Sequence, residues 1–334
     1  MKLHCNKIVC SAILAAFVVL SGCAKKNTKS EEKEFKPIIV GFSQIGSESA
    51  WRTCNTQSMK EAAAVEDIQL VYANAEQKQE NQIKAIRSFI VYQVDVIVFV
   101  PIVQDGWDNV LREAKEAGIP VIVIDRSIRT SDESLYAGYL GSDHTEEGRK
   151  AARFLQRKFS RVQRPLNILE IRGTDGSSAA DGRYEGFRDV INKDSRFKII
   201  HSESGDFLRS RGKEIVERIL SVNGKLQIDG QPVDIIFSHN DSMTLGFLDV
   251  LDEHGIRGGK DVTIVSVDAE QAAINALKEK KINCVVECNP KLGPQTMKLV
   301  KTLCNKYEIP HITRVDETVF TEYDNLSEIT PRGY

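Results

Sequence analysis

After residue 36, short runs of β-branched and aliphatic residues alternate with longer amphipathic stretches almost without a break. The apolar runs predict strands over residues 38–43, 68–72, 94–100, 120–124, 166–171, 198–202, 233–238 and 262–267. They are continuous rather than alternating, the pattern of strands buried on both faces. Between them the spacing turns helical: over residues 77–92, apolar side chains recur at Ile83, Ile86, Phe89 and Ile90. Strands alternating with helices predict parallel sheets covered on both sides, an α/β fold.

The chain also repeats itself once. Val94-Asp95-Val96-Ile97-Val98-Phe99, a helix, Gly118-Ile119 and a strand ending at Asp125 resemble Val233-Asp234-Ile235-Ile236-Phe237, a helix, Gly255-Ile256 and a strand ending at Asp268. Each half therefore places an aspartate just past the carboxyl end of a strand, the edge at which open α/β sheets bind ligands. Two such sheets face to face would set Asp125 and Asp268 on opposite walls of one cleft. The plainer alternative is that each aspartate caps the next helix. Residues 136–143 read as an extended crossover between the halves, with Gly138 and Gly141 free to absorb hinge rotation.

Ahead of residue 37 the pattern changes. Lys2 and Lys7 lead into an apolar run over residues 8–20, followed by Leu20-Ser21-Gly22-Cys23. The run is short for a membrane span and suits the core of a secretory signal. Small residues before a cysteine resemble the bacterial lipobox, which implies cleavage before Cys23 and lipidation of its thiol; an ordinary cleaved signal is the alternative. With about 0.8 kcal/mol from each buried methylene, two or three acyl chains hold a protein on a membrane. Residues 24–36, rich in Lys, Glu, Ser and Asn, read as a flexible tether.

Composition narrows the function. With 334 residues, 41% hydrophobic and 28% charged, the chain fits a soluble globular protein large enough for two lobes. A net charge of -2 supplies no field for nucleic acid, and no DNA-reading helix precedes the first strand. Beyond the signal and lipid site, Cys54, Cys284, Cys288 and Cys304 form no paired zinc-type motif, so no metal is expected. Free thiols are their default state, and export leaves a disulfide to Cys54 or Cys304 open. The sequence has no Gly-x-Ser-x-Gly elbow, no Gly-x-x-x-x-Gly-Lys phosphate loop and no His-Glu-x-x-His site, so neither catalysis nor a cofactor is expected.

A cleft that captures a sugar needs carboxylates and amides for hydroxyls, guanidinium donors, and an aromatic face for the C–H surface. Loops after the predicted strands offer such groups. One runs Gly41-Phe42-Ser43-Gln44-Ile45-Gly46-Ser47-Glu48-Ser49-Ala50-Trp51-Arg52, and another is Asp125-Arg126-Ser127. The competing readings are Trp51 packed in a core and Asp125–Arg126 as a surface ion pair.

Taken with residues 77–89, Ser204-Gly205-Asp206-Phe207-Leu208-Arg209-Ser210 and His239-Asn240-Asp241, these segments resemble the pentose and hexose binding proteins of ABC importers. The likeness is to the ribose-binding type among the type I periplasmic binding proteins, and within it to the galactofuranose-binding members. The resemblance implies two doubly wound lobes with parallel sheets joined by a three-segment hinge. Residues 37–140 plus about 290–312 would form one lobe, and residues 141–289 plus about 313–334 the other. It also implies a monosaccharide bound by Ser47, Glu48, Trp51, Arg52, Asp125, Arg126, Asp181, Arg183, Phe207, Asn240 and Asp268. Trp51 and Phe207 would stack on the ring, while the charged and amide groups take its hydroxyls.

The chain departs from the family at two places. Asp181 stands where the ribose type has an arginine, so that contact is altered or passes to Arg183. A hinge-proximal glutamine aligns near Cys288, and whether Glu287 turns inward is left open. The implied partner is an ABC permease. The implied state is a monomer anchored by lipid in the periplasm or at the cell surface. A sugar sensor docking on a chemoreceptor or histidine kinase would carry the same lobes and is the alternative.

Overall fold

The computed structural model describes residues 36–334. The signal, Cys23 and the tether up to residue 35 lie outside the described residues. The first run of elements is β1 (Ile39–Gln44), α1 (Ala50–Val65), β2 (Gln69–Asn74), α2 (Gln79–Val91), β3 (Val96–Phe99), α3 (Asp108–Glu116), β4 (Val121–Ile124) and β5 (Gly138–Gly141). The second is α4 (His144–Lys158), β6 (Leu166–Arg172), α5 (Ser178–Ile191), β7 (Phe197–Ser204) and α6 (Arg209–Ser221). It continues through a small hairpin of β8 (Gln227–Ile228) and β9 (Gln231–Pro232) to β10 (Ile235–Ser238), α7 (Asp241–Glu253), β11 (Thr263–Asp268), α8 (Gln271–Lys278) and β12 (Cys284–Glu287). The chain then forms α9 (Gly293–Cys304), β13 (Ile312–Arg314) and β14 (Val319–Thr321).

Two six-stranded sheets result, with orders β2-β1-β3-β4-β5-β13 and β7-β6-β10-β11-β12-β14. Read this way they correspond strand for strand, so the internal repeat extends over the whole of both sheets. All pairings are parallel except β12 with β14. Asp95 and Asp234 show the repeat in detail. Asp95 Oδ2 accepts from Ile39 N at 2.7 Å, and Asp234 Oδ2 accepts from Asn167 N at 2.8 Å.

Both faces of each sheet are covered, which explains the continuous apolar strands. Val96, Val98, Ile122 and Ile124 pack into one core layer, while Ile97, Phe99, Val121 and Val123 pack into the other. In the second sheet Ile236 and Ile264 face one layer and Ile235, Phe237, Val265 and Val267 the other. Phe187 of α5 stacks on Phe237 with ring centroids 4.2 Å apart.

The polypeptide passes between the sheets three times: after β5, after β12, and between β13 and β14. The expectation of an extended crossover over residues 136–143 needs correction, because Gly138 and Gly141 lie in β5, an interior strand. Their role is close approach. A Cβ on Gly138 would stand 2.7 Å from Pro310 O, and one on Gly141 would stand 2.7 Å from Asp125 O.

Helices α4 and α5 also touch backbone to backbone. A Cβ on Gly186 would lie 1.8 Å from Thr145 O, and one on Gly148 would lie 2.3 Å from Arg183 O. That contact sets His144 and Glu147 of α4 against Arg183 of α5. Among the described residues, no helix is long and apolar enough to cross a membrane.

Candidate functional site

A cavity of about 30 Å³ lies where the carboxyl ends of the two sheets face each other. The first lobe contributes Glu48, Ser49, Trp51, Arg52, Asp125 and Arg126. The second contributes Ala179, Arg183, Phe207, Asn240 and Asp268, and Cys288 reaches it from the second crossing. Direct bonds join the lobes around it. Gln104 N donates to Gly176 O at 2.9 Å, Gln104 Nε2 to Asp181 Oδ2 at 2.8 Å, and Ser127 N to Ser178 Oγ at 2.8 Å.

Local structure aims each side chain. Ser49 caps α1 by accepting from Arg52 N at 3.0 Å, which puts Trp51 and Arg52 in the first turn, facing inward. Asp125, Phe207 and Asp268 all have positive φ, at 63°, 61° and 124°. Non-glycine residues pay for such backbone conformations with strain, and strain of this kind gathers at ligand sites. Phe207 fits because residue 173 is glycine: a Cβ there would sit 1.9 Å from its ring. Asn240 caps α7, accepting from Met243 N at 3.0 Å and donating to Phe207 O at 3.2 Å.

Trp51 satisfies both sequence readings. It is 4% exposed and packs with Cys288 and the second lobe's core layer, yet its ring also walls the cavity. Its Nε1 donates to Cys288 O at 2.6 Å, and its backbone N donates to Glu270 Oε1 at 3.1 Å.

The charges are interlocked. Arg52 donates to Asp125 Oδ2 at 2.7 Å and to Glu48 Oε1 at 3.1 Å. Burial alone would push the Asp125 carboxyl up, but Arg52 and Arg126 outweigh it and hold the group below its ordinary value. Arg183 bonds Glu147 Oε2 at 2.6 Å and stands 3.6 Å from Asp268. Asp268 is nonetheless pushed well up, by burial first and by Asp241 and Glu270 nearby. Arg126 has no carboxylate within bonding distance among the described residues; burial and Arg52 lower it to about 10. Its guanidinium lies 5.0 Å from the Phe207 ring centroid. A small space walled by charged side chains and two aromatic rings presents the groups that a polyhydroxylated ring requires.

Two of the predicted residues lie elsewhere. Ser47 is exposed, one turn of loop ahead of the capping Ser49. Asp181 and Arg183 are two positions apart on α5, about 200° around the helix. Arg183 faces the cavity, and Asp181 therefore meets Gln104 at the seam between the lobes.

The model of the periplasmic binding protein domain matches residues 40–308. The chain belongs to that family. The galactofuranose-binding protein YtfQ of Escherichia coli strain K12 is 40% identical over 259 residues, 77% of this chain and 80% of that one. A Mycobacterium smegmatis protein solved in complex with β-D-fucofuranose is 41% identical, with a TM-score of 0.81, covering 85% of this chain and 91% of its own. The periplasmic component of the arabinose ABC transporter from Shewanella sp. ANA-3, bound to α- and β-L-arabinofuranose, is 40% identical with a TM-score of 0.80, covering 85% and 92%.

This periplasmic binding protein keeps a second polar group behind the cavity that sequence reasoning missed: His144, Glu147, Glu270 and Glu317. Asp125, His144 and Cys288 bring ligating atoms within 4.8 Å of one another, as do Glu147, Cys288 and Glu317. Each set could surround a cation, but Arg52 and Arg183 already supply positive charge to Asp125 and Glu147. Glu287 turns away to Arg332 and Thr318. A signal for His144 and Glu147 was present: Gly182 and Gly186, four apart on one helix, mark a close helix contact there. The four cysteines Cys54, Cys284, Cys288 and Cys304 are free, which leaves no disulfide among them.

Proposed function

We propose that this binding protein captures a furanose sugar, galactofuranose or a close relative, by closing its two lobes, and hands it to an ABC permease. The observation that carries the proposal is the cavity at the facing sheet ends, where both halves of the repeat contribute an aspartate, an arginine and an aromatic ring. The furanose class is supported by the ligands named for the three relatives above. Asp125, Asp268, Asn240, Arg52, Arg126, Arg183 and Glu48 take hydroxyls, and Trp51 and Phe207 sandwich the ring. An analogue missing one hydroxyl leaves a buried partner unpaired, at a cost of about 1–3 kcal/mol. The lobes divide at residues 142–143, 288–292 and 315–318, the hinge about which closure occurs. Cys23 carries the lipid that keeps the protein at the membrane beside its permease.

Calorimetric titration of the purified protein with galactose, arabinose, fucose, ribose and fructose tests the ligand class. Saturable binding of a sugar with a populated furanose form supports it, and no binding across the panel overturns it. Mass spectrometry of the protein from cell membranes tests the lipid on Cys23.

A further inference from the structure

A second chamber lies against one wall of the cavity. Glu48 and Arg126 also line this chamber of about 200 Å³ on their far side, bounded by Ile45, Gln77 and Ile102 of the first lobe and Thr174, Asp206 and Leu208 of the second. It leads outward at Gln77, which is exposed. The two side chains between the chambers carry opposite charge yet form no ion pair with each other. Glu48 uses Oε1 on Arg52, and Arg126 uses Nη1 on Ile102 O at 3.1 Å. Each is left with one buried polar atom that has no partner, Glu48 Oε2 and Arg126 Nε. This partition thus lacks a donor for Glu48 Oε2 and an acceptor for Arg126 Nε.

The backbone adds an independent observation. Glu76 and Gln77 have φ of 52° and 60°, and Asp206 and Phe207 have φ of 54° and 61°. These pairs occupy matching places in the repeat, each ending one residue before a helix cap. The strained position that turns Phe207 into the inner cavity turns Gln77 into the outer chamber. The outer walls mix Ile45, Ile102 and Leu208 with Gln77, Thr174 and Asp206, a pairing of apolar and hydrogen-bonding surface that suits a second sugar ring.

We propose that the protein accepts a substituted furanose, such as a furanosyl disaccharide, with one ring in the inner cavity and the substituent passing between Glu48 and Arg126 into the outer chamber. This rests on the furanose reading above. The test is calorimetry with free L-arabinose and with (1→5)-linked L-arabinofuranose disaccharide, which offers either a 1-substituted or a 5-substituted ring to the inner cavity. The proposal expects disaccharide affinity within roughly tenfold of the free sugar. Thr174→Trp, which fills the outer chamber alone, should weaken the disaccharide by at least roughly tenfold and leave the free sugar unchanged. Gln77→Asn, which tolerates the left-handed backbone, should weaken only the disaccharide, by a few-fold. Free sugar bound with the disaccharide excluded overturns the outer subsite alone, as does a disaccharide indifferent to both substitutions. Neither ligand bound overturns the furanose reading itself.

Discussion

Arg52 donates from Nη1 to Asp125 Oδ2 at 2.7 Å, and both side chains are 5% exposed. One comes from the first turn of α1 and the other from the end of β4, so the pair fixes two walls of the cavity together. Asp125→Asn removes the charge while keeping a residue that tolerates φ of 63°. Arg52 retains Glu48 as a partner, so the melting temperature should fall by only a few degrees. Sugar affinity should fall roughly 10- to 100-fold, the loss expected for a charged hydrogen-bond partner. Calorimetry beside a thermal melt separates the two effects, and unchanged affinity would remove Asp125 from the site.

The chain has two tryptophans. Trp107 is fully buried against Phe99 in the first lobe, with its Nε1 bonded to Val103 O at 2.8 Å. Trp51 walls the cavity and bonds the hinge through Cys288 O. Sugar should therefore change the emission of Trp51 alone. The ligand-induced change should vanish in Trp51→Phe and persist in Trp107→Phe. Loss of the Nε1 bond to the hinge should also weaken binding in Trp51→Phe by roughly tenfold.

Gly186→Ala would place a methyl group 1.8 Å from Thr145 O, a backbone atom that moves only if α4 shifts away from α5. Overpacking of this kind costs about 1–3 kcal/mol or more. In a protein of this size the melting temperature should drop by roughly 3–10 °C, read by circular dichroism. Because the shift carries Glu147 away from Arg183, sugar affinity should fall as well. A melt identical to the parent would mean that the helices do not cross this closely.

Much of this was legible in the sequence, and the reasons are local. Continuous β-branched runs encode parallel strands, so the predicted strands agree with β1 to β4, β6, β7, β10 and β11 to within two residues at each end. The paired motif ending at Asp125 and Asp268 already encoded both walls. Strands β5, β13 and β14 were illegible because they are short and take their shape from neighbours. β5 holds two glycines, and β13 and β14 are three residues each. Asp181 was named from its place in the family pattern, and on α5 that place faces Gln104 at the seam between the lobes. The polar groups behind the cavity come from α4, the turn between β11 and α8, and the third crossing, and no sequence window joins them.

That rear group yields the last prediction. The Glu317 carboxyl ties all three crossings together: Ser142 Oγ of the first donates to it, Asn289 N of the second donates at 3.0 Å, and Glu317 itself belongs to the third. Facing it are Glu147 of α4 and Cys288, and Arg183 holds the other side of Glu147. Lys150 bonds only the Glu317 carbonyl, at 2.9 Å, and so does not neutralise the carboxyl. Burial first, and then the Glu147 charge, push Glu317 from an ordinary 4.5 up to about 9. A carboxyl raised in this way holds its proton in the folded protein and loses it on unfolding. The stability it contributes is therefore complete below about pH 4.5 and is lost as pH rises toward 9, at up to about 1.4 kcal/mol per pH unit. Asp241, Asp268 and Glu270 are raised too, so the informative quantity is a difference between proteins. Glu317→Gln keeps the shape of the protonated group and can still accept from Ser142 and Asn289. Between pH 6 and 9 its melting temperature should fall less steeply than the parent's, with the gap widening as pH rises. Parallel curves would place the proton somewhere other than Glu317.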